Sequence, residues 1–478
     1  MNSQKKLPKL LTLLSGFTPS DFIKFSKFVN SPYFNESPLS VHLFEYLFIA
    51  AKKGTLNEIS QQMMYTELFP GETFSPPRIR QITTRLASLI ESYYRQVNLE
   101  GMANFQQVFL IRELNRRGLA SQFGSKLKEY EELKTKSHIT DPYFLMGDLI
   151  IKYEAYRFQQ ASLDYKNSLN TIEGINEVAE RLYLVVKLVA INMRLLNSLM
   201  TGQDMPIAET KIFLEEKRNV IFVYEEKYPG LVLLFKFAEL LCFFNIDNTH
   251  KLIEFTRVNI SKISYGILDM VYNSLFNYLY MHDILKNSAM TLIVLEDIEK
   301  IGTLGRRRII TPLQFLFLTK LISKSKSREH IEVQLEKFSL NLHSDYREYA
   351  YSISLAMIKM SIGEFQEALT ILSPLPQSDS YTGLTVRLLI LQIKYELKYL
   401  KHIKAEIDAV RHYIRRRTAI PLVILESVKT FLSYYNRLLS LAKKRSPDIN
   451  LFLAEAESDE PCFSRDWIIK KALEIQGL

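Results

Sequence analysis

"GFTPSDFIKFSKFVNSPYFN", Gly16 to Asn35, carries five phenylalanines in twenty residues. Its start and stop signals recur along the chain and decide the fold class. Thr18 precedes Pro19 and Asp21. A threonine hydroxyl accepts from the free amides of a helix start, proline suits the first helical position, and a carboxylate at the third closes a capping box. Phe22, Phe25 and Val29 then recur at helical spacing, with Ile23 and Phe28 widening the apolar face and Lys24 and Lys27 off it. Ser31 stands before Pro32 and is pushed towards extended geometry, so the helix ends near Asn30. Tyr33 and Phe34 lie in a short loop before the next start at Ser37-Pro38, and adjacent loop aromatics are expected to fold back onto a core. The aromatic surface reads as core, with a groove for a partner as the alternative.

The same signals continue downstream. Thr55 with Glu58 reads as a second capping box, opening a helix that stops before Pro70-Gly71. Ser75-Pro76 opens a longer helix with Ile79, Ile82, Leu86, Leu89, Ile90, Tyr93 and Val97 on one face and Arg78, Arg85 and Arg95 elsewhere. Asp141-Pro142 starts another, a long pattern runs from about Asn170 to Met200, and Pro229-Gly230 divides two more. No stretch alternates with period two between hairpin turns, so very little strand is expected.

Composition agrees. Glycine and proline number only 16 each, sparse for the turns of an all-β fold, and 47% hydrophobic with 24% charged residues is a globular balance. The 61 Lys and Arg against 52 Asp and Glu give +9, a mild bias that permits an acidic partner without requiring one. Cys242 and Cys462 form no disulfide framework, which points to a reducing compartment. The run "LLTLL" after Lys9 is too short for a signal peptide. "LVLLFKFAELLCFF", Leu231 to Phe244, is too short to span a bilayer, carries Lys236 and Glu239, and reads as a buried helix. A soluble, cytoplasmic protein without membrane contact is expected.

The expected architecture is all-α. Residues 1–100 form an N-terminal helical domain, and 101–478 form stacked helical hairpins, each burying its apolar face against the next. "SLAMIKMSIGEFQEALTILSPLP", Ser354 to Pro376, resembles a tetratricopeptide repeat. Leu355 and Ala356 match its Leu-small pair, Gly363 its turn, Phe365 its aromatic, Ala368 its close helix approach and Leu372 its later apolar contact. Pro374 and Pro376 come early for its closing proline. A shift of 35 residues pairs Leu355 with Ile390, Ile358 with Ile393, Phe365 with Leu400, Ala368 with Ile403 and Leu372 with Ile407, although Leu391 and Ile403 replace the small residues. The likeness covers 345–417 directly. "SPYFN", "LFPG" at 68–71, "YIRRR" at 413–417 and "RDWIIKKALE" near the C-terminus also resemble a group of uncharacterised bacterial all-helical proteins of the same length, which brings no activity with it.

Candidates for chemistry are few. None of the eight histidines forms HxxxH or HExxH or lies near a cysteine, so no metal is expected. His282-Asp283 are adjacent and point different ways on a helix. "GTLGRR", Gly302 to Arg307, lacks the glycine pattern of a phosphate cradle. The basic runs at 306–308, 415–417 and 443–445 lie near helix ends, where positive charge is stabilising by itself.

These readings lead to a non-enzymatic scaffold with no cofactor, holding a protein or peptide, acidic ones included, on the concave face of the array. That face is built from the first helices of successive hairpins. The tetratricopeptide likeness points to Tyr349, Ser352, Lys359 and Lys394 on it. The alternative is a nucleic-acid-binding regulator. In it the helices Thr55–Glu67 and Pro76–Val97 form a helix-turn-helix with Arg78, Arg80 and Arg85 on DNA, though "LFPGETFSP" is long for such a turn.

Overall fold

A computed structural model of the protein describes residues 9–136, 141–201, 204–243, 245–283, 288–302, 310–325, 328–376, 381–415, 422–444, 449–457 and 462–477. Among these residues the chain is all-helical. The β-structure they contain is an isolated bridge between Ile310 and Leu342. The chain divides into two compact units, 1–130 with 150–168, and 131–149 with 169–478.

The first unit begins with α1 (Lys9–Ser15), α2 (Pro19–Val29), α3 (Pro38–Lys52), α4 (Gln61–Leu68) and α5 (Pro76–Gly101). Helix α5 is its spine, since α1, α2, α3 and α4 all pack on it. The opening stretch forms the capping box read from sequence. Asp21 N donates to Thr18 Oγ1 (3.1 Å), and Thr18 N donates to the Asp21 carboxylate (2.8 Å). The other oxygen of that carboxylate accepts from the Tyr93 hydroxyl on α5 (3.2 Å), so one residue starts α2 and anchors it. Phe25 is fully buried among Phe17, Phe44 and Tyr93, at ring separations of 5.5, 4.9 and 5.4 Å.

Three expectations for this region fail. Ile23 is exposed, because the buried face is a narrow stripe through Phe22, Phe25, Phe28 and Val29. Tyr33 is 89% exposed. Its neighbour Phe34 stacks on Phe28 at 4.1 Å instead, while Asn35 closes the loop by donating to Val29 O (2.8 Å). Thr55 makes no capping bond. It belongs to the end of α3, where its amide donates to Ala50 O (3.0 Å); a three-residue 3-10 turn follows, and Ser60 caps α4. The unit continues through α6 (Ala103–Arg116) and takes the first part of α7 (Ala120–Lys136) and the second part of α8 (Pro142–Ala161). There Phe123 stacks on Phe158 at 4.6 Å and Asn115 donates to buried Glu154 (2.7 Å).

The second unit contains most of α9 (Tyr165–Thr201), then α10 (Ile207–Phe222), α11 (Pro229–Cys242), α12 (Ile246–Asn259), α13 (Tyr265–Asp283) and α14 (Ser288–Gly302). It continues with α15 (Pro312–Ser325), α16 (Arg328–Ser339), α17 (Ser344–Ser361), α18 (Phe365–Leu372), α19 (Tyr381–Glu396) and α20 (Ile403–Arg415). It closes with α21 (Leu422–Lys444), α22 (Ile449–Ala456) and α23 (Arg465–Gln476). Helix α11 is its central buried element, as the apolar run suggested. Lys236 lies over the rings of Phe222 and Phe255 (5.2 and 5.0 Å), and Glu239 pairs with Arg218, so both charges sit at the rim of the buried surface. Sequential helices pack together, and contacts also join α11 to α13, α15 to α17, α17 to α19 and α21 to α23. Among the described residues, α9 is the helix long and apolar enough to cross a membrane, by length and composition.

Candidate functional site

The region 344–415 contains two hairpins built on one turn. After α17, Gly363 adopts φ +84°, Gly363 N donates to Met360 O (3.2 Å) and Glu364 N to Lys359 O (2.9 Å). After α19, Lys398 adopts φ +57°, Lys398 N donates to Tyr395 O (3.1 Å) and Tyr399 N to Lys394 O (2.8 Å). These are paired Schellman closures, offset by 35 residues. Burial follows the same offset at four of the five pairs, and fails at the fifth, where Phe365 is half-buried and Leu400 exposed. Ile358 and Ile393, Ala368 and Ile403, and Leu372 and Ile407 are buried pairs, while Leu355 and Ile390 are half-buried.

The four residues expected to line a partner face all lie on the first helices of these hairpins, and each has an internal partner. The Tyr349 hydroxyl donates to Pro376 O (3.0 Å), and the Ser352 hydroxyl to Glu348 O one turn back (2.9 Å). Lys359 Nζ meets Glu364 (2.5 Å) and Glu367 (2.7 Å), and Lys394 pairs with Glu406. Lys359 and Lys394 are equivalent under the 35-residue shift. Each reaches a carboxylate on the second helix of its own hairpin. They hold the hairpins closed at a helix C-terminus, where positive charge is favoured. Arg387 adds to this surface, with its guanidinium over the Tyr413 ring at 4.8 Å.

On α5 the three arginines separate. Arg78 is held by Glu72 (2.5 Å) and lies 3.5 Å over the Phe69 ring, which fixes the connection between α4 and α5. Arg80 and Arg85 are exposed. Five residues along a helix turn them well away from one another, so they do not present one edge.

Polar clusters that local spacing does not reveal lie deeper. Asp297 on α14 receives a two-pronged contact from Arg257 on α12 (2.8 and 2.9 Å) and the Tyr272 hydroxyl of α13 (3.2 Å). Burial, with Asp297 beside it, pushes the Tyr272 hydroxyl well above its ordinary range. Buried Asp148 pairs with Lys134 (2.9 Å). Burial alone would lower that ammonium, and the Asp148 charge more than offsets it and raises it. Glu396 at the end of α19 accepts from Trp467 Nε1 (2.7 Å) and Lys471 Nζ (2.8 Å) of α23. The partners lie 71 and 75 residues apart in sequence, beyond the reach of any spacing rule. Burial pushes the Cys462 thiol up to about 12.

Among the described residues no group of three or more His, Cys, Asp or Glu side chains is placed to hold a metal ion. The glycine-basic segment after Gly302, the basic run at 306–308, Arg416, Arg417 and Arg445, and the side chains of His282 and Asp283 lie outside the described residues. No protein-family model matches the chain, and neither a curated protein nor a solved structure matches it.

Proposed function

We propose that the protein is a non-enzymatic cytoplasmic scaffold. It holds another protein or an extended peptide on the face made by the first helices of tetratricopeptide-like hairpins. The observation that supports this reading is the packing of α15 on α17 and of α17 on α19, which joins successive first helices side by side. A continuous surface of that kind is what helical-repeat arrays offer to partners. Tyr349 and Ser352 are half-buried on it. Because Lys359 and Lys394 are already paired with Glu364, Glu367 and Glu406, an acidic partner segment engages them only by displacing those carboxylates. A photo-crosslinking residue at Ser352 in the full chain tests the reading against one at Thr370 on the outer helix α18. Partner adducts are expected at the first position. Adducts confined to position 370, or none at either, overturn it.

The second reading, nucleic-acid binding through α5, draws on the exposure of Arg80 and Arg85. Because the two side chains leave the helix in well-separated directions, it predicts a salt-sensitive duplex interaction in which each makes a separate phosphate contact and not a shared edge.

A further inference from the structure

Helix α9 has two apolar faces. Val178, Val185, Leu188 and Leu195 are buried in the core of its own unit, and Asn192 on the same side donates to Leu234 O of α11 (3.0 Å). The opposite side is a different series. From Leu169, alternating steps of three and four residues reach nine positions up to residue 197, and every one is exposed. The large apolar members are Leu169 (65% exposed), Ile172 (38%), Tyr183 (54%), Val186 (50%) and Met193 (53%); Ala179 and Ala190 are small, and Asn176 and Asn197 are polar. The 3-4 alternation over four heptads is the spacing of a coiled-coil seam.

The flanking charges say what covers it. The position after each second seam residue is occupied in turn by Glu173, Glu180, Lys187 and Arg194, all exposed, two acids followed by two bases. The matching positions on the other flank are Ile175, Leu182, Val189 and Leu196, all half-buried and apolar. In a parallel pair the charged flank would meet the apolar flank. In an antiparallel pair each flank meets its own kind. Glu173 then lies beside the second copy's Arg194, and Glu180 beside the second copy's Lys187, with every flanking charge opposed. In that register Tyr183 packs on the second copy's Val186, and Ala179 on the second copy's Ala190. Arg194 has an exposed intrachain contact with Glu209 (3.3 Å), and the Lys187 ammonium lies 5.9 Å from the Phe213 ring centroid. Both are weak enough to yield to an intermolecular partner.

We infer that α9 is a self-association element, and that its exposed seam binds the same seam of a second copy of this chain, antiparallel. The inference is independent of the proposed partner face. Sedimentation velocity of the full chain across the micromolar range should show a dimer. Val186→Glu should be monomeric with an unchanged circular dichroism spectrum. Glu180→Lys should weaken dimerisation by about tenfold, since two symmetric contacts become repulsive, and Glu180→Lys with Lys187→Glu should restore it. Under mild oxidant Ala179→Cys/Ala190→Cys should form a covalent dimer beyond the wild-type background, whereas Ala190→Cys alone should not. A wild-type chain that stays monomeric overturns the inference. So does cross-linking by Ala190→Cys alone, which means a parallel pair. A monomeric chain that floats with anionic vesicles and loses them on Val186→Glu also overturns it, by making the seam a membrane face.

Discussion

Replacing Phe25 with alanine tests whether the aromatic opening of the chain is core. The ring is fully buried, with Phe17, Phe28, Phe44 and Tyr93 around it at 5.5, 6.0, 4.9 and 5.4 Å between centroids. A buried Phe→Ala change costs about 3–5 kcal/mol, and the value depends on how far the walls can collapse. Here they are held from outside. Phe44 lies against Phe22 and Phe48, and Tyr93 is tied by its hydroxyl to Asp21 in the α2 capping box. Closing the cavity would break that box, so the upper part of the range is expected. Hydrogen exchange on the full chain reads the first unit separately from the second. At 1.4 kcal/mol per tenfold, the protected amides of α2, α3 and α5 should exchange about two to four orders of magnitude faster, with α19 to α23 unchanged. Tyr33→Ala, at an exposed tip, should stay within about 0.5 kcal/mol of wild type. Less than tenfold acceleration in Phe25→Ala, or equal effects of the two changes, would refute the core assignment. Unchanged exchange with lost partner binding would put the groove in its place.

Three further outcomes are expected. The Cys462 thiol is held up to about 12 by burial, from 9.0, so the unfolded chain loses this proton first. Its stabilising contribution is complete below about pH 9 and falls by about 1.4 kcal/mol per pH unit as the pH rises towards 12. Urea midpoints that decline over that window in the wild type and less steeply in Cys462→Ser are the check. Lys471→Ala leaves the mostly buried Glu396 carboxylate without its cation at a cost of about 3 kcal/mol. The emission of Trp467, the one tryptophan of the chain, should shift red at lower urea, and a shift equal to wild type would show that the pair does not fasten α23. Arg80→Gln/Arg85→Gln should leave partner capture by the full chain intact. If duplex binding is instead lost, with a salt slope flatter by about one unit per phosphate contact, the scaffold reading gives way to the nucleic-acid one.

Much of the fold was legible because helix termini are local. The Thr18 box, the Asp141 cap and the proline starts need only neighbouring residues, and each stands where its spacing placed it. Thr55 shows how a local rule misleads. The same Thr-Glu spacing fits a helix start, but Gly54 at φ +74° first closes α3 and draws the Thr55 amide and hydroxyl back to Ala50 O. Ile23 and Tyr33 fail because their exposure depends on how wide a stripe α3 and α5 cover, which no periodicity states. The pairing of the charges was least legible. Lys359 and Lys394 look free in sequence, yet Glu364, Glu367 and Glu406 lie 5 to 12 residues away across a turn, close enough for a hairpin to bring them together.

That hairpin turn supplies a sharper test of the 35-residue repeat. Gly363 and Lys398 occupy the same left-handed position, at φ +84° and +57°. A side chain there costs about 1–2 kcal/mol, because Cβ crowds the following carbonyl. At Gly363 an added Cβ meets no atom within 4 Å beyond its chain neighbours, so Gly363→Ala should lose about 1–2 kcal/mol from backbone strain alone. Lys398 already bears that strain, and its side chain is exposed. Lys398→Gly relieves it and gives back part of the gain through the freer unfolded chain, leaving a net stabilisation of about 0.5–1 kcal/mol. Hydrogen exchange of the turn amides at Glu364 and Tyr399 reads each hairpin separately. Opposite signs at the two positions are expected. Equal destabilisation by both substitutions would mean that the Lys398 turn is held by side-chain contacts instead. The two hairpins would then share a spacing without sharing the physical reason for it.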